Sequence, residues 1–246
     1  LVEPPLRELF DNLDEGLFNL RFLKLKKTDE ARTRETAALL AGLKEEIISK
    51  RLFKARGVYR FFPAAAEGDA IKFMYASGAE AGCAVFPRQK GGEGLCLADF
   101  VAAEGGPRDY VGLFAATCGE GVAELSRREK EAGNYVRSYL IEALALSLAE
   151  AFADVMHYRM RRAWAIAEPH PALPLLRGRH RGRRYSFGYS VCPELSGQKL
   201  IFRLLDPADA GLTLTDEYMM SPEASVSALV LHNPKAVYFD IGDAAQ

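Results

Sequence analysis

The chain has 246 residues, 49% of them hydrophobic, which is enough apolar material for a sizeable core in one large domain or two small ones. It balances 32 Lys and Arg against 33 Asp and Glu, so no global field favours nucleic acid or an anionic membrane. No apolar run reaches the roughly 18 residues that a membrane-spanning helix needs.

The opening LVEPPLRELF lacks the basic-then-apolar pattern of an export signal. The chain reads as cytoplasmic, and beginning at Leu1 it reads as either free-standing or a segment of something longer. Residues 1–23 carry Leu6, Leu9, Phe10, Leu13, Leu17, Phe18 and Leu20 at mixed spacing after Pro4-Pro5, which predicts a short helix laid on a core. Asp14 among them suits a helix cap or a solvated turn. Over 33–54 the positions Leu39, Leu40, Leu43, Ile47, Ile48 and Leu52 recur every three or four residues, with Glu35 and Glu45 outward. This predicts an amphipathic helix, broken at Arg56-Gly57. Two β-rich runs, 58–63 and 71–75, then form a hairpin across Gly68-Asp69.

The glycines of 91–94 read as a flexible turn, because Leu97 stands where G-x-G-x-x-G needs its third glycine and no G-K-[ST] is present. Residues 95–101 and 109–116 read as strands. The tract 124–167 predicts one long helix, with Val136, Leu140, Leu144, Leu148, Phe152 and Met156 in four-residue steps as its core stripe. Arg159, Arg161 and Arg162 complement the dipole of its last turns, His157 reads as a helix-flank residue, and Trp164 closes it. Three prolines at 169–174 make a stiff connection. Beyond the loop that follows, 196–205 reads as a short helix, and Leu212 to Met220, 225–231 and 237–241 read as strands. Cys83, Cys96, Cys118 and Cys192 lie 13, 22 and 74 residues apart, with no Cys-x-x-Cys and no His at ligand spacing. They read as buried free thiols in a reducing compartment.

The most informative stretch is 177–193, RGRHRGRRYSFGYSVCP. Bounded by Gly182, Gly188 and Pro193, it is not expected to be regular structure, yet it holds five arginines, Tyr185, Phe187 and Tyr189. On these residues alone a solvated flap, a small-anion site and a nucleic-acid patch stand equally. Neutral net charge and the lack of a recognisable nucleic-acid motif count against the last. No G-x-S-x-G or H-E-x-x-H is present.

The pattern R-x-x-x-G-Y-x-x-C-P at 184–193 resembles the S-adenosylmethionine-binding activation domain at the C-terminus of cobalamin-dependent methionine synthase. Leu13-Asp14-x-x-x-Phe18, ARGVYRFFPAAAEGDAIKFMY, CLADFVA, DYVGLFAAT, LAEAFADVMHYRMRRAWAIA, EASVS and HNPKAVYF are similar to the same family, in the same order. The resemblance implies one α+β domain over 1–246, a twisted antiparallel sheet with long helices. It implies ligand contacts from Asp14, Arg184, Tyr238 and Phe239, with Ser186 and Tyr189 also in the site and Gly188 letting the backbone approach. Arg184 would take the ligand's carboxylate, Asp14 its ammonium, and the aromatic rings its adenine or sulfonium. Tyr189 would face the cobalt of a docked partner. Tyr185, Ser186 and Phe187 depart from the family's small residues and prolines, and Gly178 stands where it often has a carboxylate.

The implied role is reductive reactivation, as a component of a methyltransferase and not a complete catalyst alone. The chain lacks D-x-H-x-x-G, so the cobalamin would sit on a partner module or subunit, reduced by a flavodoxin-like or ferredoxin-like donor. A sensor or scaffold that binds S-adenosylmethionine without corrinoid chemistry is the alternative, ahead of a single-stranded nucleic-acid binder.

Overall fold

The structure, a computed structural model, describes residues 1–24, 30–168 and 180–242, the side chains at 30–33 and 35 excepted. Glu35, Arg177, Gly178, Arg179 and the proline connection at 169–174 lie outside that description.

The N-terminal segment is not one helix but two short ones, α1 (Leu6–Asp11) and α2 (Glu15–Phe18), continued by a π-helical turn at Asn19–Leu23. Asp14 separates them by capping the second. The next helix, α3 (Glu30–Lys50), turns Leu40, Leu43 and Ile47 inward and leaves Leu39 exposed. It ends before Arg56-Gly57, which lie inside β1 (Lys54–Glu67). A glycine in a strand marks a close approach as readily as a break: a Cβ on Gly57 would sit 3.0 Å from the Ala115 carbonyl oxygen and 3.2 Å from the Phe152 ring. The expected hairpin forms between β1 and β2 (Ala70–Met74), and β3 (Glu80–Val85) extends it. Residues 95–101 are not a strand. Asp99 accepts from the Cys96 N–H at 2.8 Å and opens a 3₁₀ turn at Leu97–Phe100.

After β4 (Asp109–Glu120), the tract expected as one helix is α4 (Val122–Glu131) and α5 (Tyr135–Ala163), separated by a turn at Gly133-Asn134. Leu140, Leu144, Leu148, Phe152 and Met156 are buried as their spacing requires, but Val136, in the first turn of α5, is 67% exposed. The chain closes with β5 (Arg183–Tyr185), α6 (Gln198–Leu205), a small pair β6 (Thr213–Leu214) and β7 (Met220–Ser221), and β8 (Ser225–Leu231). Residues 237–241 join no ladder; the Tyr185 hydroxyl holds the Val237 carbonyl at 2.7 Å and the Lys90 N–H the Ile241 carbonyl at 3.2 Å.

The fold is α+β, and its six-stranded sheet is antiparallel in the order β3-β2-β1-β4-β8-β5. Side chains alternate across it with the period of two. Phe114, Ala116 and Cys118 of β4 and Ala228 and Val230 of β8 pack under α3 and α5. Val111, Leu113, Ala115, Leu229 and Leu231 pack under α6 and the loops of the opposite face. Three of the four cysteines are buried as expected, and Cys83 is exposed on the edge strand β3. Among the described residues no helix is long and apolar enough to cross a membrane.

Phe152 is fully buried between α5 and the sheet. Phe152→Ala is expected to lower the unfolding free energy by about 3–5 kcal/mol, and Val136→Ala by no more than about 0.5 kcal/mol. Urea unfolding of the two variants checks the difference, which equal losses would contradict.

Candidate functional site

Along α5, Glu150, Asp154, His157 and Arg161 follow at spacings of four, three and four, which places them on one stripe of the helix. The stripe borders a cavity of about 430 Å³ whose other walls come from Leu13, Asp14 and Phe18 and from Arg184. Asp14 accepts from the Leu17 N–H at 2.9 Å, so it caps α2 and faces the cavity at once.

Arg184 reaches across from β5, where it pairs with Val230 of β8. Its guanidinium donates to Asp154 at 2.6 Å and to Glu150 at 3.4 Å. Burial disfavours its charge, but Asp154 and then Glu150 more than offset that and raise its pKa. The two carboxylates are nearly half exposed, so each pair adds at most about 1 kcal/mol of stability. Their larger effect is to aim the guanidinium.

Arg184 and Glu150 also border a second cavity of about 330 Å³. Ser186, Tyr189, Tyr238 and Phe239 line it, and Gln198 and Ser227, joined by a 3.0 Å hydrogen bond, are among its polar residues. The two cavities form one groove, charged on one side of Arg184 and aromatic on the other. Tyr189 is 66% exposed and Tyr238 60% exposed. Phe239 is half-buried against Phe100.

Six of the seven expected site residues therefore gather along this groove: Asp14 in the charged half, Arg184 at the junction, and Ser186, Tyr189, Tyr238 and Phe239 in the aromatic half. Gly188 does not line it. At φ +89° it makes a turn, its N–H donating to the Cys192 carbonyl at 2.9 Å, and that turn holds Tyr189 outward. Cys192 donates to the Ser186 carbonyl at 3.0 Å, and burial pushes its thiol up to about 12. It pins the loop and stays protonated.

The loop departs from expectation in two ways. Residues 183–185 are a regular edge strand, and two of its aromatic rings are core: Tyr185 is 3% exposed, and Phe187, 7% exposed, stacks on Phe86. Its described arginines are also engaged. Arg181 donates to the His232 carbonyl at 3.0 Å and Arg183 to the Gly182 carbonyl at 2.8 Å, beside the pairs of Arg184. That leaves little of a phosphate-binding patch.

Glu150 and Asp154 are the residues the sequence reading misses. Their signal is the polar stripe itself, E-x-x-x-D-x-x-H-x-x-x-R, hidden by attention to the apolar stripe beside it. His157 is not a flank residue but is 4% exposed, and Arg161, 2% exposed, pairs with Glu168. Burial, and then Arg184 and Arg161, hold the His157 imidazole well below its ordinary pKa.

The family model of the vitamin B12 dependent methionine synthase activation domain matches residues 18–246. Methionine synthase of Mycobacterium tuberculosis is 35% identical over 207 residues, covering 77% of this chain and 17% of that protein. Methionine synthase of Mycobacterium leprae is 32% identical over 201 residues, covering 75% and 17%. The chain thus spans 17% of the length of these relatives. A crystal structure of the MetH reactivation domain bound to AdoHcy matches with a TM-score of 0.90 and 28% identity, over 98% of this chain and 80% of that one. With the matched segment running from α2 to the C-terminus and taking in every expected site residue but Asp14, the chain belongs to the family of vitamin B12-dependent methionine synthase activation domains.

Proposed function

We propose that the groove binds S-adenosylmethionine and that the chain supports reductive reactivation of a cobalamin held by a separate module or subunit. The observation that carries this is the position of Arg184, with carboxylates on one side and aromatic faces on the other. S-adenosylmethionine has the same polarity order: an amino-acid end, a sulfonium, an adenine. The relative whose structure matches is itself bound to AdoHcy.

In this reading the amino-acid carboxylate takes a bidentate place on Arg184, sharing it with Asp154 or displacing it, while Glu150 and Asp14 accept from the ammonium. Tyr238, Phe239 and Tyr189 cover the adenine and leave the sulfonium near the open mouth. No acid–base group is needed, because a sulfonium is already a good leaving group. The partner's corrinoid supplies the reduced cobalt centre that accepts the methyl group, with its electron from a flavodoxin-like or ferredoxin-like donor. The chain's own contribution is proximity and orientation. Four free cysteines fit a cytoplasmic setting.

Calorimetric titration tests the ligand. One-to-one binding of S-adenosylmethionine and S-adenosylhomocysteine is expected, and Arg184→Ala is expected to weaken it about tenfold or more, for about 1.5–3 kcal/mol of charged hydrogen bonding. Arg181→Ala, whose guanidinium holds the His232 carbonyl and, among the described residues, no carboxylate, is expected to change it by less than about twofold, the size of a surface effect. Equal effects from the two variants would refute the assignment of Arg184.

Tyr189→Phe removes one hydroxyl from a 66% exposed ring and is expected to spare folding and ligand affinity. With a cobalamin-bearing partner, reductant and S-adenosylmethionine present, it is expected to slow the change in the cobalamin absorption spectrum. No spectral change with the unaltered chain would leave the sensor or scaffold reading in place of reactivation.

A further inference from the structure

We propose that the far end of the charged cavity, where His157, Arg161 and His180 meet, is a second subsite that takes a phosphate-sized oxyanion, separate from the place of the amino-acid end on Arg184. Its separateness rests on the proposed place of the amino-acid end on Arg184; its capacity for an anion rests on the cavity's own unpaired atoms.

The first argument is reach. An α-helix rises about 1.5 Å per residue, so His157 lies roughly one turn and Arg161 roughly two turns beyond Asp154, the residue that holds Arg184. A ligand anchored on Arg184 and extending toward the aromatic half runs away from that end. The second argument is unmet hydrogen bonding. His157 is 4% exposed and Arg161 2% exposed, and among the described residues His157 Nε2 and Arg161 Nε have no hydrogen-bond partner. Both side chains border the cavity, and the His180 ring meets the His157 ring edge to face at 5.0 Å. Buried polar atoms are nearly always satisfied by protein, water or ligand.

The third argument is the sign of the field. His157 faces Arg161 on its own helix and Arg183, Arg184 and His180 from β5 and the residues leading into it. Of the carboxylates nearby, Asp154 is held by Arg184 and Glu168 by Arg161. Across the cavity stand Asp14 and Arg21, of opposite sign. Burial and these cations keep His157 neutral, so its ring offers an acceptor in a positive setting. An oxyanion that still carries a proton matches both needs: its O–H donates to the imidazole, and its other oxygens accept from the Arg161 Nε–H. An ammonium would be repelled. A bound anion also offsets the arginines and lets His157 take up a proton, so binding tightens as pH falls.

The test is a proton NMR titration of the full chain with inorganic phosphate, read at the Cε1–H signals of its four histidines, with sodium chloride at matched ionic strength as the control. The expected result is a saturable shift at His157 and His180, absent at His232 and absent with chloride. The half-saturating concentration is expected to fall between pH 7.5 and 6.0 by up to about tenfold per pH unit, and the shift is expected to persist under saturating S-adenosylhomocysteine. His157→Gln is expected to abolish the saturable response at His180; if that variant does not fold, the titration of the unaltered chain decides alone. Unsaturable drift at all histidines, or no response, would mean that water satisfies these atoms. Displacement by S-adenosylhomocysteine would make this the carboxylate's own place. Either result overturns the proposal. Should S-adenosylhomocysteine not bind at all, the phosphate titration still reads out, so the two readings fail separately.

Discussion

The distance between α5 and the sheet governs the site. Gly57 leaves room for the Phe152 ring, and a Cβ on Gly112 would overlap the Met160 methyl group. Because those side chains are absent, α5 lies low over β1 and β4, and Phe152, Met156 and Met160 enter the core fully. The same closeness brings the polar stripe of α5 level with the edge strand β5. Arg184 can then span from strand to helix and meet Asp154 at 2.6 Å. A larger residue at Gly57, pressed against the Ala115 carbonyl and the Phe152 ring, would push helix and sheet apart and with them the two charges that divide the groove.

Charge in the groove follows from who is paired with whom. Arg184 and Arg161 are each matched by carboxylates, Asp154 with Glu150 and Glu168 respectively. His157, between Asp154 and Arg161 on α5, has no anion of its own among the described residues and stays neutral. An arginine already aimed by partly exposed carboxylates loses less freedom when a ligand arrives, since its fork is oriented before binding. The cost is competition: a ligand carboxylate must contend with Asp154 for the same guanidinium. Such an arrangement favours a zwitterion over a simple anion, because the displaced carboxylate can turn to the ligand's ammonium.

Strands β1, β2, β4 and β8 and helices α3, α5 and α6 are legible in the chain because their apolar spacing is set by burial. The failures have local causes. Arg56-Gly57 reads as a break only if a glycine's lack of side chain is assigned to a turn; here it answers to the Phe152 ring from another element. Gly133-Asn134 divides the long helical tract within a run of helix-favouring residues, and periodicity alone runs past it. In the candidate site, Asp14, Arg184, Ser186, Tyr189, Tyr238 and Phe239 come together from three separate stretches, an assembly that the family resemblance anticipates and spacing does not. Glu150 and Asp154 escape because the same helix carries a stronger apolar signal one residue to either side. Tyr185 and Phe187 sit among arginines in a stretch not expected to be regular structure, yet a ring at a strand end is well placed to fill a core, and both do.

The two halves of the groove differ in how they are closed. The charged half is bordered by residues 12–14, α2 and the π-helical turn after it, α5 and β5, with Leu13 and Phe18 fixing its N-terminal wall to the core. The aromatic half is bordered by one turn at Gly188 and by residues 237–241, which no ladder holds, and its two tyrosines stay mostly exposed. A ligand with its carboxylate on Arg184 and its ammonium turned to the charged half has its ring in the aromatic half. In the proposed reading, the bond to be broken then lies where another macromolecule can reach it, and the rings left uncovered are the surface that contact would bury. A deeper aromatic pocket would hold the ligand more tightly and shield the group that has to be handed over. Shallow closure on that side is therefore what a transfer between two modules requires.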